Sequence, residues 1–184
     1  MQPSQRPIEG RSTPIAVSLL VAASAALTLG FACALPLAAF GTFSAVAFRR
    51  GAATVAVFSV WLVNQIIGFA FMGYPLDAST LAWGAALGGV GLLSLGAAGM
   101  ALARLRGAFA IVASFLVAFV AYQGSIYLAC LASGTDVTHF TAAVVGRVFL
   151  INAASLGALV AVRALWSGAA GALGWVGVDA PRRA

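Results

Sequence analysis

The sequence predicts an all-α integral membrane protein, a six-transmembrane-helix bundle with both termini in the cytoplasm. Of its 184 residues, 62% are hydrophobic and only 8% are charged, whereas a soluble domain usually carries about 25% charged residues. The mean hydropathy is +1.05. Long apolar runs are the second observation and the placement of the arginines is the third. Together they place the chain in a bilayer, and we expect the cell inner membrane.

Six apolar runs predict the helices, over residues 14–30, 31–48, 52–73, 79–104, 107–132 and 139–166. A helix needs about 20 residues to cross the ~30 Å hydrocarbon core, and the last four runs are long enough. The first two are together too long for one ordinary crossing, and Gly30 and Pro36 offer a turn between them. Residues 14–167 thus form one transmembrane domain. A polar, disordered tail precedes it (1–13), and an interfacial segment with a polar tail follows it (168–184).

The charges favour two crossings over one for residues 14–48. The net charge of +6 comes entirely from arginine, and the arginines cluster at the ends of apolar runs. With six crossings, all these clusters lie on one side and the loop acids Asp77 and Asp136 lie on the other, as the positive-inside rule requires. The basic charge therefore indicates topology rather than nucleic-acid binding. The clusters are Arg6 and Arg11, Arg49 and Arg50, Arg104 and Arg106, and Arg163 with Arg182 and Arg183.

A cleaved signal peptide is the alternative for the N-terminus. Residues 1–34 combine two arginines, an apolar run and an A-x-A site at Ala32-Cys33-Ala34, which is the pattern of a secretory leader. Cleavage there would leave five helices.

Polar residues inside the apolar runs predict a binding site. Asn64, Gln123 and Arg147 each lie eight or nine residues from the outer end of a predicted helix, which corresponds to a depth of about 12–14 Å. Arg147 is the costliest, at roughly 2.5–3.5 kcal/mol, and no predicted helix carries an acid to pair with it. It indicates an anionic ligand, a backbone-carbonyl site or water. The alternatives are snorkelling for Arg147 and interhelical hydrogen bonds for the amides, worth about 0.6 kcal/mol each.

Aromatic rings accompany these polar groups. Trp61 is one turn from Asn64 and Gln65, and Tyr127 is one turn from Gln123. Rings that stack and amides that orient suit a flat organic solute, whereas Tyr74 and Trp83 fit an ordinary aromatic belt. The predicted ligand-binding residues are Trp61, Asn64, Gln65, Gln123, Tyr127, Arg147 and Asn152.

Small residues recur at helical spacing and predict close helix packing. Ala22, Ala26 and Gly30 are four apart on the first helix, and the fourth helix carries Gly84 with Gly88 and Gly96 with Gly99. Such faces drive helix association in lipid. They serve either packing within the bundle or the docking of another protein.

Metal and catalytic chemistry have weak support. Cys33, Cys130 and His139 all lie near the predicted outer face and are candidate ligands for a soft metal, but no CxxC or HxxxH spacing accompanies them, and a buried cysteine is ordinarily a small hydrophobe. We expect no cofactor and no enzymatic activity, because no nucleophile–base pair or nucleotide motif is present. An ion-driven pump is also not expected, since no carboxylate lies within a predicted helix.

The stretch PLAAFGTFSAVAFRRGAATVAV, from Pro36 to Val57, resembles the substrate-binding S components of energy-coupling factor (ECF) transporters, which are six-helix membrane proteins of similar length. The resemblance implies uptake of a vitamin or metal bound near the outer face. It also implies that Ala22 and Ala26, with their A-x-x-x-A spacing, dock a membrane coupling subunit that works with two ATPases. In cobalamin-binding members a cysteine is implicated at the cobalt, a part that Cys33 or Cys130 would take.

Two functions therefore stay open. The first is a solute-binding and uptake protein of S-component type for a vitamin-like small molecule. The second is a structural or assembly subunit of a larger membrane complex, which would explain the small-residue faces and the lack of chemistry. A second copy of the chain, forming a homo-oligomer, is the alternative to a coupling subunit as the protein partner.

Overall fold

Six α-helices make up the part of the chain that the structure describes, as the sequence predicts. The structure is a computed structural model, and it describes the backbone of residues 12–31 and 35–172, among which no strand occurs. Residues 1–11, 32–34 and 173–184, with most of the predicted tails and the A-x-A site, lie outside these ranges. The helices are α1 (Ser12–Phe31), α2 (Leu37–Ala47), α3 (Arg50–Ala70), α4 (Ala78–Arg104), α5 (Ala108–Ser133) and α6 (Ala142–Ala172).

Four of the helices are long and apolar enough to cross a membrane, which confirms the membrane prediction. Only 22% to 33% of each apolar window is buried inside the protein, so most of its residues are at least partly exposed on the outside of the bundle. Val120 on α5 and Leu150 on α6 are 70% and 67% exposed. An outward apolar surface of this extent requires lipid as its solvent. The candidate spans are Arg50–Ala70, Ala78–Arg104, Phe109–Ser133 and Ala142–Trp166.

Helix α2 differs from the predicted crossing over residues 31–48. It has 11 residues and is therefore about 16 Å long, roughly half the hydrocarbon thickness. Pro36 precedes its first turn, and Phe48 and Arg49 are extended and end it. Residues 36–44 are all buried. The helix is apolar on every face because protein, rather than lipid, surrounds it. Six membrane crossings thus remain a prediction.

Glycines show how α2, α3 and α4 pack together. A Cβ at Gly91, the central residue of α4, would touch Leu37 and Val57, and one at Gly41 would meet the backbone of Leu95. Because Leu37 lies beside Gly91 and Gly41 lies beside Leu95, α2 runs parallel to α4. The first turn of α2 lies level with the middle of α4, and from there α2 occupies the half of the bundle toward the C-terminal end of α4.

Contacts of the remaining helices give an alternating arrangement. Phe115 of α5 packs on Phe149 of α6 at 5.5 Å between ring centroids, and Tyr127 packs on Phe140 at 5.2 Å, so α5 and α6 are antiparallel. Helix α2 packs against α3, α4, α5 and α6, whereas α1 packs against α3. The arginine-bearing connections 48–49 and 105–107 therefore lie at one end of the bundle. The connections with Asp77 and Asp136 lie at the other, which we call the acidic end.

The glycines of α4 divide into two groups. Gly84 faces Gln65, and Gly88 faces the Trp61 ring, so internal packing is confirmed for this pair. Gly96 and Gly99 have no atom of the described residues within 4 Å of a Cβ position.

The ends of α1 and α6 also differ from the predicted boundaries. Helix α1 begins at Ser12, and α6 continues to Ala172. The first five residues of the predicted interfacial segment and polar tail, 168–184, are therefore a continuation of α6.

Candidate functional site

Two of the predicted ligand-binding residues on α3 face α4. The indole Nε1 of Trp61 donates a hydrogen bond to the backbone carbonyl of Gly84 at 2.8 Å. The side-chain oxygen of Gln65 lies 2.5 Å from where a Cβ on Gly84 would be, and the Trp61 ring lies beside Gly88. Both side chains are partly buried. The two glycines leave room for these large side chains, so this part of the predicted site also joins α3 to α4.

Asn152 is buried at the first turn of α2. Its Oδ1 accepts a hydrogen bond from the Ala39 backbone N–H at 3.2 Å, and its Nδ2 donates to the Val148 carbonyl at 3.0 Å. The side chain is 1% exposed. A helix leaves its first N–H groups without internal partners, and Pro36 at the N-cap position provides no capping side chain. Asn152 therefore caps α2 from another helix.

The remaining predicted residues lie on the same half of the bundle, with Asn64 on α3, Gln123 and Tyr127 on α5, and Arg147 on α6. Asn64 and Gln123 are partly buried, and Arg147 is exposed. Tyr127 is 39% exposed and packs edge-on against Phe140. Within the described residues, Trp61 and Gln65 thus meet α4, Asn152 meets α2 and Tyr127 meets the connection before α6. These four side chains contact three different elements, and the ligand-binding role of all seven stays a prediction.

The depths of these residues can be compared along their helices. Gln65 lies five residues from the end of α3, and Arg147 lies five residues from the start of α6, which is about 8 Å. Gln123 and Asn152 each lie ten residues from the helix ends at this side, or about 15 Å. All therefore lie between the acidic end of the bundle and the level at which α2 begins.

Arg163 makes a contact that sequence reasoning missed. Its Nη1 donates to the Val46 carbonyl of α2 at 3.4 Å, and its side chain is partly buried. The positive-inside pattern had placed Arg163 among the topology-determining arginines at the chain end. The available signal was its position before Ala164, Leu165 and Trp166, within an apolar run rather than after it.

Buried hydroxyl groups lie on α2 and on the neighbouring helices α4 and α5. Thr42, Ser94 and Ser114 are fully buried, and each donates to the carbonyl four residues earlier in its own helix. Ser44 is also fully buried, but its Oγ has no hydrogen-bond partner among the described residues. Sequence reasoning missed these hydroxyls because none interrupts an apolar run.

A shallow apolar groove lies between α3 and α4. Its volume is about 200 Å³, and it opens to the surface. Phe58 and Leu92, which are 49% and 40% exposed, form part of its wall. The lining residues are Phe58, Trp61, Ala85, Gly88, Gly89 and Leu92.

The predicted metal ligands and docking residues are only partly described. Cys130 is buried and His139 is exposed beside Phe140, with 4.8 Å between their ring centroids, whereas Cys33 falls outside the described residues. No group of three or more His, Cys, Asp and Glu residues occurs in the described part of the chain. Of the docking residues, Ala22 is exposed. The surroundings of Ala26 and Gly30 lie outside the described part.

The two acids of the connections are held ionised. The Asp77 carboxylate accepts from the Thr80 backbone N–H at 2.7 Å and caps α4, and this bond lowers the pKa of Asp77. Hydrogen bonds from the hydroxyl and the N–H of Thr138 lower the pKa of Asp136. Both carboxylates are therefore anionic at neutral pH.

No protein-family model, no curated protein and no solved structure matches this chain.

Proposed function

We propose that the chain is a membrane-embedded solute-binding and uptake protein of S-component type for a vitamin-like small molecule. One observation carries the proposal, namely that α2 is half as long as a membrane crossing and starts level with the middle of α4. Interrupted helices that begin at mid-membrane are typical of transporters, where they leave polar backbone and side chains beside a solute site. A packed bundle of full-length helices has no such feature.

The proposed site lies between the start of α2 and the acidic end of the bundle. The amides of Asn64, Gln65 and Gln123 and the charge of Arg147 are all in this half. A helix N-terminus carries a partial positive charge, and Arg147 adds a full one. We therefore favour a solute with an anionic group, such as a carboxylate, and an aromatic or otherwise flat body that contacts Trp61 or Tyr127. Asn152 is assigned to positioning α2 rather than to ligand contact.

The topology in this proposal has six membrane segments, with both termini in the cytoplasm of a cell with an inner membrane. The parallel arrangement of α2, α4 and α6 supports it, because alternating segments require even-numbered helices to share a direction. Uptake would depend on a membrane coupling subunit with ATPases, since none of the described spans carries an acid for ion coupling.

Native mass spectrometry of the gently extracted protein tests the proposal. We expect a bound compound of vitamin size that Asn64→Ala and Arg147→Ala remove, because each variant deletes a polar group of the proposed site. Leu150→Ala is the matched control, since Leu150 is on α6 and 67% exposed to lipid. A compound that survives both substitutions would refute this site, and protein without any adduct would count against solute binding.

A structural subunit is the second candidate, and one observation favours it. Trp61 and Asn152 already make hydrogen bonds inside the protein, and Gln65 packs on Gly84, so part of the polar set serves the fold. This alternative predicts a stoichiometric protein partner and no small molecule in the same mass spectrum.

A further inference from the structure

A short helix buried in a membrane protein needs hydrogen-bond partners at both ends. The first four N–H groups and the last four carbonyls of a helix have no internal partner, and hydrocarbon supplies none. Helix α2 meets this problem at its mid-membrane start and again at its end, where residues 44–47 carry the terminal carbonyls. The Ser44 carbonyl accepts from the Phe48 N–H at 3.0 Å.

Helix α6 contacts both ends of α2. Asn152 accepts from Ala39 in the first turn, and Arg163 donates to Val46 in the last turn. The two contacts occur in the same order along both helices, so α2 and α6 are parallel and are joined at two points. A cation at a helix C-terminus also complements the negative end of the helix dipole. The charge of Arg163 therefore acts on the end of α2 where it is favourable.

The two contacts differ in character. Asn152 is buried and bonded on both sides of its amide, whereas Arg163 is only partly buried and reaches α2 with a long side chain at 3.4 Å. The chain leaves α2 after Ala47, one residue beyond Val46, and passes through the buried Phe48 to the exposed Arg49. The Arg163 contact thus lies where the chain passes from the buried α2 to the exposed start of α3.

We propose that Arg163 is a positioning residue whose hydrogen bond to Val46, here called the latch, holds the C-terminal end of α2 against α6. Helices α2 and α6 then form one unit at the end of the bundle opposite the acidic end. The latch holds the segment 46–50 in place. Loss of the guanidinium frees this segment without unfolding α3, α4 or α5. The inference does not depend on which solute, if any, the opposite half binds.

Limited trypsin digestion of the full chain in nanodiscs tests the latch. Trypsin cleaves after arginine, and the exposed Arg49 and Arg50 follow α2 directly. Arg104 and Arg106, which are also exposed at the same end, provide an internal reference. In Arg163→Met we expect the cleavage rate at 49–50, divided by the rate at 104–106, to rise on the order of tenfold, because proteolysis follows local opening.

Two further variants make the test specific. Arg163→Lys keeps a cation with donors on a flexible stem, so it should restore most of the wild-type ratio. Val162→Ala is the matched control, since Val162 is adjacent and 60% exposed, and it should leave the ratio unchanged. The proposal is overturned if Arg163→Met keeps the wild-type ratio or accelerates both sites equally. It is also overturned if Arg163→Lys behaves as Arg163→Met does.

Discussion

Replacement of Gly41 by alanine should destabilise the protein, because α2 and α4 approach each other through their backbones at this residue. A Cβ on Gly41 would lie 3.0 Å from the Leu95 nitrogen and 3.2 Å from the Ser94 carbonyl carbon. Both atoms belong to the backbone of α4, so neither can rotate away. Helices α2 and α4 must therefore separate by a few tenths of an ångström, and the buried side chains between them lose contact with one another.

The expected magnitude combines two opposing effects. Overpacking a well-packed interior costs typically 1–3 kcal/mol, and alanine is favoured over glycine in a helix by up to about 1 kcal/mol. Gly89→Ala gives the second effect alone, since no described atom lies within 4 Å of a Cβ there. We expect Gly89→Ala to be neutral or slightly stabilising. Gly41→Ala should then be about 1–3 kcal/mol less stable than Gly89→Ala.

The measurement is the free energy of unfolding in mixed micelles, with helix content from circular dichroism as the probe. Both variants should show the wild-type helix content before unfolding. If the free energies of unfolding of the two variants agree within about 0.5 kcal/mol, the spread usual for unrelated surface changes, the close approach of α2 and α4 is refuted.

Two further predictions concern single polar groups. Ser44→Ala should be neutral or stabilising, because it removes a buried hydroxyl that lacks a partner among the described residues. Ser94→Ala, which deletes a bonded hydroxyl, should be the less stable of the two variants in the same unfolding assay. If Ser44→Ala is the less stable variant, the description of the Ser44 hydroxyl as a buried group without a hydrogen bond is contradicted. Asp77 has a lowered pKa, so its stabilisation of α4 is complete above the unfolded value of about 3.9 and is lost as the pH falls through the lower folded value. Asp77→Asn keeps an N-cap acceptor without titrating. Between pH 5 and 2, the thermal unfolding temperature of this variant should therefore fall less steeply than that of the wild type. If the two unfolding temperatures fall in parallel, ionised Asp77 does not stabilise α4.

Helices α3, α4 and α5 were largely predictable, because each is a sustained apolar run with polar residues near its ends. Residues 79–104 were predicted for α4, which spans Ala78–Arg104, and residues 107–132 for α5, which spans Ala108–Ser133. Asp77 and Gly134 supply end signals that the sequence displays directly, since Asp77 caps α4 and Gly134 ends α5 at a positive φ of 69°.

The length of α2 was not predictable from hydropathy. Its residues are as apolar as those of a crossing, because a helix enclosed by protein and a helix enclosed by lipid both exclude charge. The signal that distinguishes the two is side-chain size. The helix LAAFGTFSAVA contains small residues on all faces, and small residues mark close helix contact rather than lipid contact.

The residues of the candidate site could be picked out from the sequence, but neither a common depth nor their partners could. Hydropathy shows that Asn64, Gln123, Arg147 and Asn152 interrupt apolar helices. Arg147 lies five residues from the start of α6 and Gln123 ten from the end of α5, or about 8 Å and about 15 Å, rather than at one level. Which way each side chain faces depends on helix rotation, which the weakly amphipathic runs do not specify. Asn152 illustrates this, because it turns toward the buried α2.

The position of Asn152 and the missed contact of Arg163 have one physical cause. Pro36, at the N-cap of α2, makes no capping side-chain hydrogen bond, and Phe48, at its C-cap, donates its backbone N–H to the Ser44 carbonyl. A buried helix without caps of its own must receive them from a neighbouring helix. A polar residue within a long apolar helix is therefore a capping candidate whenever an adjacent apolar segment is too short to cross the membrane. Asn152 and Arg163 lie 11 residues apart on α6, and the residues of α2 that they contact, Ala39 and Val46, lie 7 residues apart. The difference of 4 residues is about 6 Å along parallel helices, which the long side chain of Arg163 spans, so both polar groups reach terminal turns of the 11-residue α2.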